Sequence, residues 1–348
     1  MDISTSKAIV MERPFEANFR DIKLTKMTAK SIVCRTTLSA ISSGTDMKTW
    51  RGQQHSEQCW YPLVPGYENA GVVEYIGSEA ETDLKIGDRV MINECREFGE
   101  VCAAWGGSVE YSIKNSRTAP SPFDYAVKIP DNVSDQDAVL AYLACVPLKG
   151  ARRFNFVDNE TILVTGAGMI GISAIQILKI LNPTAKIICI DRSEFRCGLA
   201  KHYADHVFLA DGNELEKIKE ITNGNMVDKL MECTGNSEIV GTLHKYIKSA
   251  GWDHDEPAHI HLQGDYPETI VMDSWHRWFT KNCTISMSCA LESGCKEQIL
   301  QWMSEEKFNT KHLPIETWAV SECQKAFEYK DAKGDDIFKV LFDWRNTK

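Results

Sequence analysis

The 348-residue chain has 12 cysteines but no Cys-x-x-Cys pair. They are scattered, and Cys34, Cys189 and Cys233 lie in apolar, strand-like runs where a thiol acts as a small hydrophobe. A disulfide framework is therefore not expected, and a reduced, cytoplasmic compartment is. A basic block is missing too: 39 Lys and Arg stand against 49 Asp and Glu, for a formal net charge of -10. That balance argues against nucleic acid or an anionic membrane as partner and leaves a small-molecule substrate as the expectation. Residues Met1 to Arg20 contain neither a basic n-region nor an apolar h-region, so no signal peptide is expected. Repeats and low-complexity segments are absent as well. The longest uncharged stretch, Thr161 to Leu178, approaches the length of a membrane span but carries three glycines that break it.

That stretch organises the chain. Thr161-Ile-Leu-Val-Thr-Gly166-Ala-Gly168-Met169-Ile170-Gly171 is a β-branched run followed by a glycine turn, and an apolar helical segment continues to Leu178. Gly166 suits a tight exit from a strand, Gly168 a close approach of backbone to a pyrophosphate, and Gly171 close packing of helix on strand. The free amides at the helix N-terminus then face the phosphates. A second apolar strand, Lys186 to Ile190, ends in Asp191, about 20 residues after the last glycine, where an acid binds ribose hydroxyls. A carboxylate there repels a 2'-phosphate, so NAD is expected rather than NADP; Arg192 and Arg196 are the nearby groups able to accommodate a phosphate.

With 43% hydrophobic and 25% charged residues the chain has the composition of a soluble protein long enough for two domains. Residues 1 to about 125 read as a β-rich, barrel-like domain, with strands expected at Ser31–Arg35, Gly71–Ile76, Arg89–Ile92 and Ser108–Ile113. A helix is expected from Ser134, interrupted at Pro147. Strands at Asp205–Leu209, Val227–Cys233, His259–Leu262 and Thr284–Ser288 alternate with helices at Asn213–Ile221 and Glu238–Ala250, giving about six parallel strands in a doubly wound sheet. An apolar strand, Lys339–Asp343, closes the chain.

The order of motifs resembles the medium-chain dehydrogenase/reductase family across essentially the whole chain. The matching pieces are Ser43-Gly-Thr-Asp46, Val64-Pro-Gly-Tyr-Glu-Asn-Ala-Gly71, Ile86-Gly-Asp-Arg-Val90, Trp105-Gly-Gly-Ser-Val-Glu-Tyr111, the glycine turn and Glu232-Cys-Thr-Gly235. Pro62 to Glu68 and Val340 to Arg345 look most like the bacteriochlorophyllide a dehydrogenase branch, which oxidises a hydroxyethyl group. The resemblance implies an α/β protein with a GroES-like β-barrel catalytic domain, residues 1–130 plus a tail 291–348, and a doubly wound Rossmann NAD-binding domain, residues 131–290. It also implies a homodimer built on the last Rossmann strands, about Thr284 to Ala290, and a substrate cleft between the domains. Thr234 and Gly264 are implied as further cofactor contacts.

Departures from the family define the expected chemistry. Zinc-dependent members carry Cys, His and Glu or Cys where this chain has Ser43, Tyr67 and Tyr142, and their four-cysteine lobe reduces here to Cys95 and Cys102. Hydroxyls and phenols are poor zinc ligands beside thiolate or imidazole, so no metal is expected. By family position Thr45, Lys48, Tyr67 and Glu68 are the catalytic candidates, with the substrate alcohol bound by Thr45 and Tyr67 and its proton passing toward Lys48. Ser43, Trp50 and Trp105 are expected to line the substrate. The expected activity is that of a zinc-independent, NAD-dependent alcohol dehydrogenase or ketone reductase acting on a secondary alcohol of a small polar or cyclic metabolite. The alternatives are an NAD(P)H-dependent enoyl or quinone reductase and a non-catalytic cofactor-binding protein. His259 and His261, on one strand face near His254, form at most a weak metal motif.

Overall fold

The computed structural model describes residues 3–54, 59–95, 98, 100–114, 125–266, 268–272 and 274–347. It divides the chain into two compact units, residues 1–142 with 296–348, and residues 143–295. Both divisions fall at helix ends or interiors: the first lies inside the helix Asp135–Ala151, about a dozen residues beyond the boundary expected from sequence.

The first unit is a GroES-like β structure of two sheets. A four-stranded sheet runs Glu16–Lys23, Thr5–Arg13, Leu63–Val64, Cys102–Ala103. A seven-stranded sheet runs Ile315–Ala319, Lys339–Asp343, Ile32–Ile41, Glu68–Ile76, Arg89–Met91, Val127–Lys128, with Tyr111–Lys114 pairing Ile32–Ile41 off that path. The C-terminal strand pairs antiparallel with Ile32–Ile41, Val340 opposite Ile41 and Asp343 opposite Leu38. Its apolar Val340, Leu341 and Phe342 are fully buried, and the tail is thus a central strand of the N-terminal domain.

The second unit is a Rossmann sheet of six parallel strands in the order His206–Leu209, Lys186–Asp191, Thr161–Thr165, Lys229–Glu232, His259–Leu262, Thr284–Met287. The central strands are buried on both faces, which is why they read as unbroken apolar runs instead of alternating ones. The two edge strands differ: His206–Leu209 is half-buried along its length, while Thr284–Met287 leaves Ile285 and Met287 exposed.

One helix expected from sequence does not form as such. Glu238–Ala250 contains only the short helix Ser237–Val240 and a 3-10 turn at Leu243–Lys245. Residues 246–248 instead make a parallel bridge to Val227, whose N–H donates to the Tyr246 carbonyl at 3.0 Å while Lys248 N–H donates to the Val227 carbonyl at 2.9 Å. Extending the sheet satisfies backbone groups that a longer helix would have claimed. Pro147, by contrast, is absorbed within the single helix Asp135–Ala151.

Candidate active site

In the first unit the strand Ile32–Ile41 ends, the chain turns through residues 42–44, and the short helix Thr45–Trp50 begins. The turn is fixed by Asp46, whose fully buried carboxyl accepts from Ser42 N–H at 2.8 Å and from Gly66 N–H at 3.0 Å. One side chain thereby ties the segment carrying Thr45 to the segment carrying Tyr67. The Tyr67 phenol oxygen lies 2.6 Å from Ser42 Oγ and 3.0 Å from Thr45 Oγ1. Its single proton cannot serve both at once, so it donates to one hydroxyl and accepts from the other.

The Tyr67 ring is enclosed by aromatics. Tyr142 packs against it at 5.0 Å between centroids, tilted by 35°, and Trp105 meets it edge-on at 6.0 Å. Tyr142 in turn donates from its phenol to the buried Glu94 carboxyl at 3.1 Å. Burial, reinforced by the nearby Asp46 and Glu68 carboxyls, raises the Tyr67 phenol well above the ordinary tyrosine range, so it remains a neutral hydrogen-bond donor.

Several sequence expectations change here. Ser43 is exposed, and its neighbour Ser42 is the hydroxyl that meets Tyr67. Trp50 does not face a substrate: it is 1% exposed, stacked on Phe327 at 5.2 Å in the core. Glu68 is an ion-pair partner and not part of the hydroxyl cluster; it is fully buried, with Lys339 Nζ at 2.5 and 2.8 Å from its two oxygens. Lys48 is half-buried three residues after Thr45, hence on the same face of their helix. Trp105, partly buried, keeps its place beside Tyr67. Sequence reasoning missed Ser42 and Glu94. Nothing in the sequence separates Ser42 from Ser43, and Glu94 sits in no motif used above; Asp46 was visible in the Gly-Thr-Asp motif without an assigned role.

The donors at the family's zinc position are thus an exposed hydroxyl and two buried phenols, and among the described residues no group of three or more His, Cys, Asp or Glu could hold a metal. This donor set does not fit zinc. Cys95 and Cys102 are both buried, Cys95 with its thiol toward the Ile113 carbonyl. His259 and His261 are accounted for by serines: His259 Nε2 lies 2.6 Å and His261 Nδ1 2.8 Å from Ser286 Oγ, and His261 Nε2 is 3.1 Å from Ser288 Oγ. Burial drives His261 down to about 4, so the pair joins two strands as neutral imidazoles.

Asp46 carries a pH dependence. Burial pushes its carboxyl from 3.8 up to about 7, against the opposing pull of the two backbone N–H bonds. The folded state therefore holds this proton more tightly than the unfolded chain. The resulting stabilisation is complete below the unfolded value and is lost as pH rises through about 7. Melting temperatures measured from about pH 5 to pH 8 should fall for the wild type relative to Asp46→Asn, which is less stable throughout but flat for this group; parallel curves would contradict it.

In the second unit, Gly166 has φ +89°, and a Cβ on Gly171 would stand 1.7 Å from the Gly166 carbonyl oxygen. The helix Met169–Leu181 starts at Gly168 with Met169 and Ile170 in its first turn. Asp191 is buried and accepts from Ala167 N–H at 2.6 Å and Ser193 N–H at 2.8 Å, so its carboxyl also braces the turn itself. Arg196 Nη1 lies 3.7 Å from the position a Gly168 Cβ would take, beside the phosphate turn, whereas Arg192 is exposed. Thr234 donates its N–H to Glu232 at 2.7 Å and its methyl is 3.0 Å from a Gly166 Cβ position. Gly264 lacks a side chain because Gly235 passes there: a Cβ would meet the Gly235 Cα at 2.7 Å. This bare cradle fits a dinucleotide, which Gly166, Gly168, Gly171, Asp191 and Arg196 would hold. Gly171→Ala should cost about 1–3 kcal/mol and abolish saturable binding of a reduced nicotinamide dinucleotide, read by thermal melting and cofactor fluorescence; wild-type affinity would contradict the packing.

Comparison with known proteins adds to this geometry. Residues 29–131 match the family model for the alcohol dehydrogenase GroES-like domain, and residues 170–252 that for zinc-binding dehydrogenase, together more than half of the chain. The probable D-xylulose reductase A of Aspergillus clavatus is 26% identical over 295 residues, covering 78% of this chain and 79% of the relative. The structure of RspB from Escherichia coli CFT073, complexed with NADH, superposes with a TM-score of 0.81 at 22% identity, covering 98% of this chain and 100% of RspB. A dehydrogenase from Sinorhizobium meliloti 1021 bound to NADP gives a TM-score of 0.80 at 17% identity, with 98% and 100% covered.

Proposed function

The chain belongs to the medium-chain zinc-type dehydrogenase family, and from that premise we propose that it is a zinc-independent, NAD-dependent alcohol dehydrogenase or ketone reductase. The observation that carries this reading is the Tyr67 phenol held between Ser42 and Thr45 where the family places a metal ligand. A neutral phenol and a threonine hydroxyl are hydrogen-bond donors able to bind a substrate oxygen and stabilise charge developing on it. A reduced nicotinamide, when bound, would supply the hydride to the ketone carbon. Thr45 and Tyr67 orient the ketone oxygen, and the Lys48 ammonium, one helical turn from Thr45, gives the proton that the resulting alkoxide takes up.

A secondary alcohol or ketone of a small polyol or cyclic metabolite is the proposed substrate class, consistent with the ketose reductase among the relatives. NAD is favoured over NADP by the carboxyl of Asp191 at the end of its strand. We further propose a homodimer, because the edge strand Thr284–Met287 leaves Ile285 39% and Met287 65% exposed beside an unpaired backbone edge.

The test is turnover of D-xylulose and of a hydroxyethyl-bearing ring compound with NADH and NADPH, before and after dialysis against a zinc chelator, with zinc measured by mass spectrometry. Chelator-resistant turnover with NADH and no stoichiometric zinc are expected. Stoichiometric zinc whose removal abolishes turnover overturns the metal-free reading, and tighter NADPH binding overturns that of Asp191. Light scattering should give twice the chain mass, 39.2 kDa.

A further inference from the structure

Three consecutive residues after the strand Arg89–Met91 each grip a different aromatic residue of the site. Asn93, at φ +64°, donates from Nδ2 to the Tyr67 carbonyl at 3.2 Å. Glu94 accepts from the Tyr142 phenol at 3.1 Å. Cys95 N–H donates to the Trp105 carbonyl at 2.9 Å. Tyr142 and Trp105 are the two rings that pack against Tyr67. Asn93 takes up a left-handed conformation at this turn, and Asn93 and Glu94 are both buried, at 0% and 3% exposure.

We infer that Asn93–Glu94–Cys95 is a bracket that aims the Tyr67 phenol, with Glu94 the positioning residue acting through Tyr142. This rests on the reading of Tyr67 as a substrate-binding donor. The phenol oxygen lies on the axis of its own ring, so turning the ring plane leaves it in place; what carries it away from Ser42 and Thr45 is a swing of the whole ring about χ1, which the packed neighbours block. Tyr142 supplies that fixed wall, and a ring lying on a bulky partner is held in place only if the partner is itself anchored. Glu94 provides the anchor in a site closed to water, where a hydrogen bond to a carboxyl is stronger than on the surface. Near-attack geometry is sensitive to displacements of an ångström, so loss of the anchor is felt at the chemical step and not in cofactor binding.

The experiment compares Glu94→Ala, Glu94→Gln and Tyr142→Phe in the full-length protein. With D-xylulose and NADH, Glu94→Ala should lower kcat about 10- to 100-fold with KM nearly unchanged. Tyr142→Phe should lower it about five- to tenfold. Glu94→Gln, whose amide oxygen still accepts from the phenol, should restore most of the rate. In parallel, 3-fluorotyrosine is placed at position 67 and read by fluorine NMR, which needs no substrate. Its resonance should shift and broaden in Glu94→Ala and Tyr142→Phe and return in Glu94→Gln. An unmoved resonance in Glu94→Ala and Tyr142→Phe overturns the inference, and so does a Glu94→Gln as perturbed as Glu94→Ala. If Glu94→Ala does not fold, Tyr142→Phe, which removes one oxygen, decides. Full turnover of Tyr67→Phe would instead overturn the reading of the site, while the fluorine resonance still judges the bracket.

Discussion

Tyr67→Phe should lower kcat by roughly 10²- to 10³-fold while leaving affinity for the nicotinamide cofactor unchanged, because it deletes one preorganised donor in a site shielded from water. The oxygen removed is the one held 2.6 Å from Ser42 and 3.0 Å from Thr45. Phenylalanine keeps the ring contacts with Tyr142 and Trp105, so the fold should be preserved and the loss confined to polar chemistry. The pH profile separates two roles for the phenol. Burial and two neighbouring carboxyls raise it far above the ordinary range, so it does not ionise in the accessible window and acts as a donor throughout. Wild-type kcat should accordingly show no limb between about pH 8 and pH 10 that disappears in Tyr67→Phe. Such a limb would make the phenol the titrating base, and unchanged kcat would remove it from the chemistry.

The cofactor turn was legible in the sequence because each requirement there is a backbone requirement. Gly171 stands where a Cβ would strike the Gly166 carbonyl, and no other residue type satisfies that constraint. The parallel strands were legible for a similar reason, since burial on both faces leaves an unbroken apolar run. The hydroxyl cluster was only half legible. Family position pointed to Thr45 and Tyr67, but whether Ser42 or Ser43 faces the phenol depends on how the chain leaves the strand Ile32–Ile41, and Asp46 decides that through two backbone N–H groups. Trp50 misled because an indole's chemistry does not reveal whether Phe327 or a ligand covers its face. Lys339 was invisible as a partner for Glu68: 271 residues separate them, and only the pairing of the last strand with Ile32–Ile41 brings them together.

That buried pair sets a large expected effect on stability. Lys339→Met should destabilise the protein by about 3–5 kcal/mol, because it leaves a carboxyl without its cation at a position with no exposure to water. Burial raises Glu68 above its usual value, and Lys339 is the group that opposes the rise. Without the lysine the rise is larger, so the carboxyl takes up a proton more readily in the folded state than in the unfolded chain. Stability is then greatest below the unfolded value of 4.5 and is lost as pH rises through the folded one. The deficit of Lys339→Met relative to wild type should therefore shrink on acidification, measured by urea unfolding at several pH values. The double variant Glu68→Leu, Lys339→Met removes both charges and should recover most of the loss, since replacing a buried pair with apolar groups is often close to neutral. Its kcat separates the two readings of Glu68. Near-wild-type turnover in a stable double variant identifies the carboxyl as the tie between the C-terminal strand and the strand that begins beside Tyr67; a large fall in turnover at restored stability would return Glu68 to the reaction.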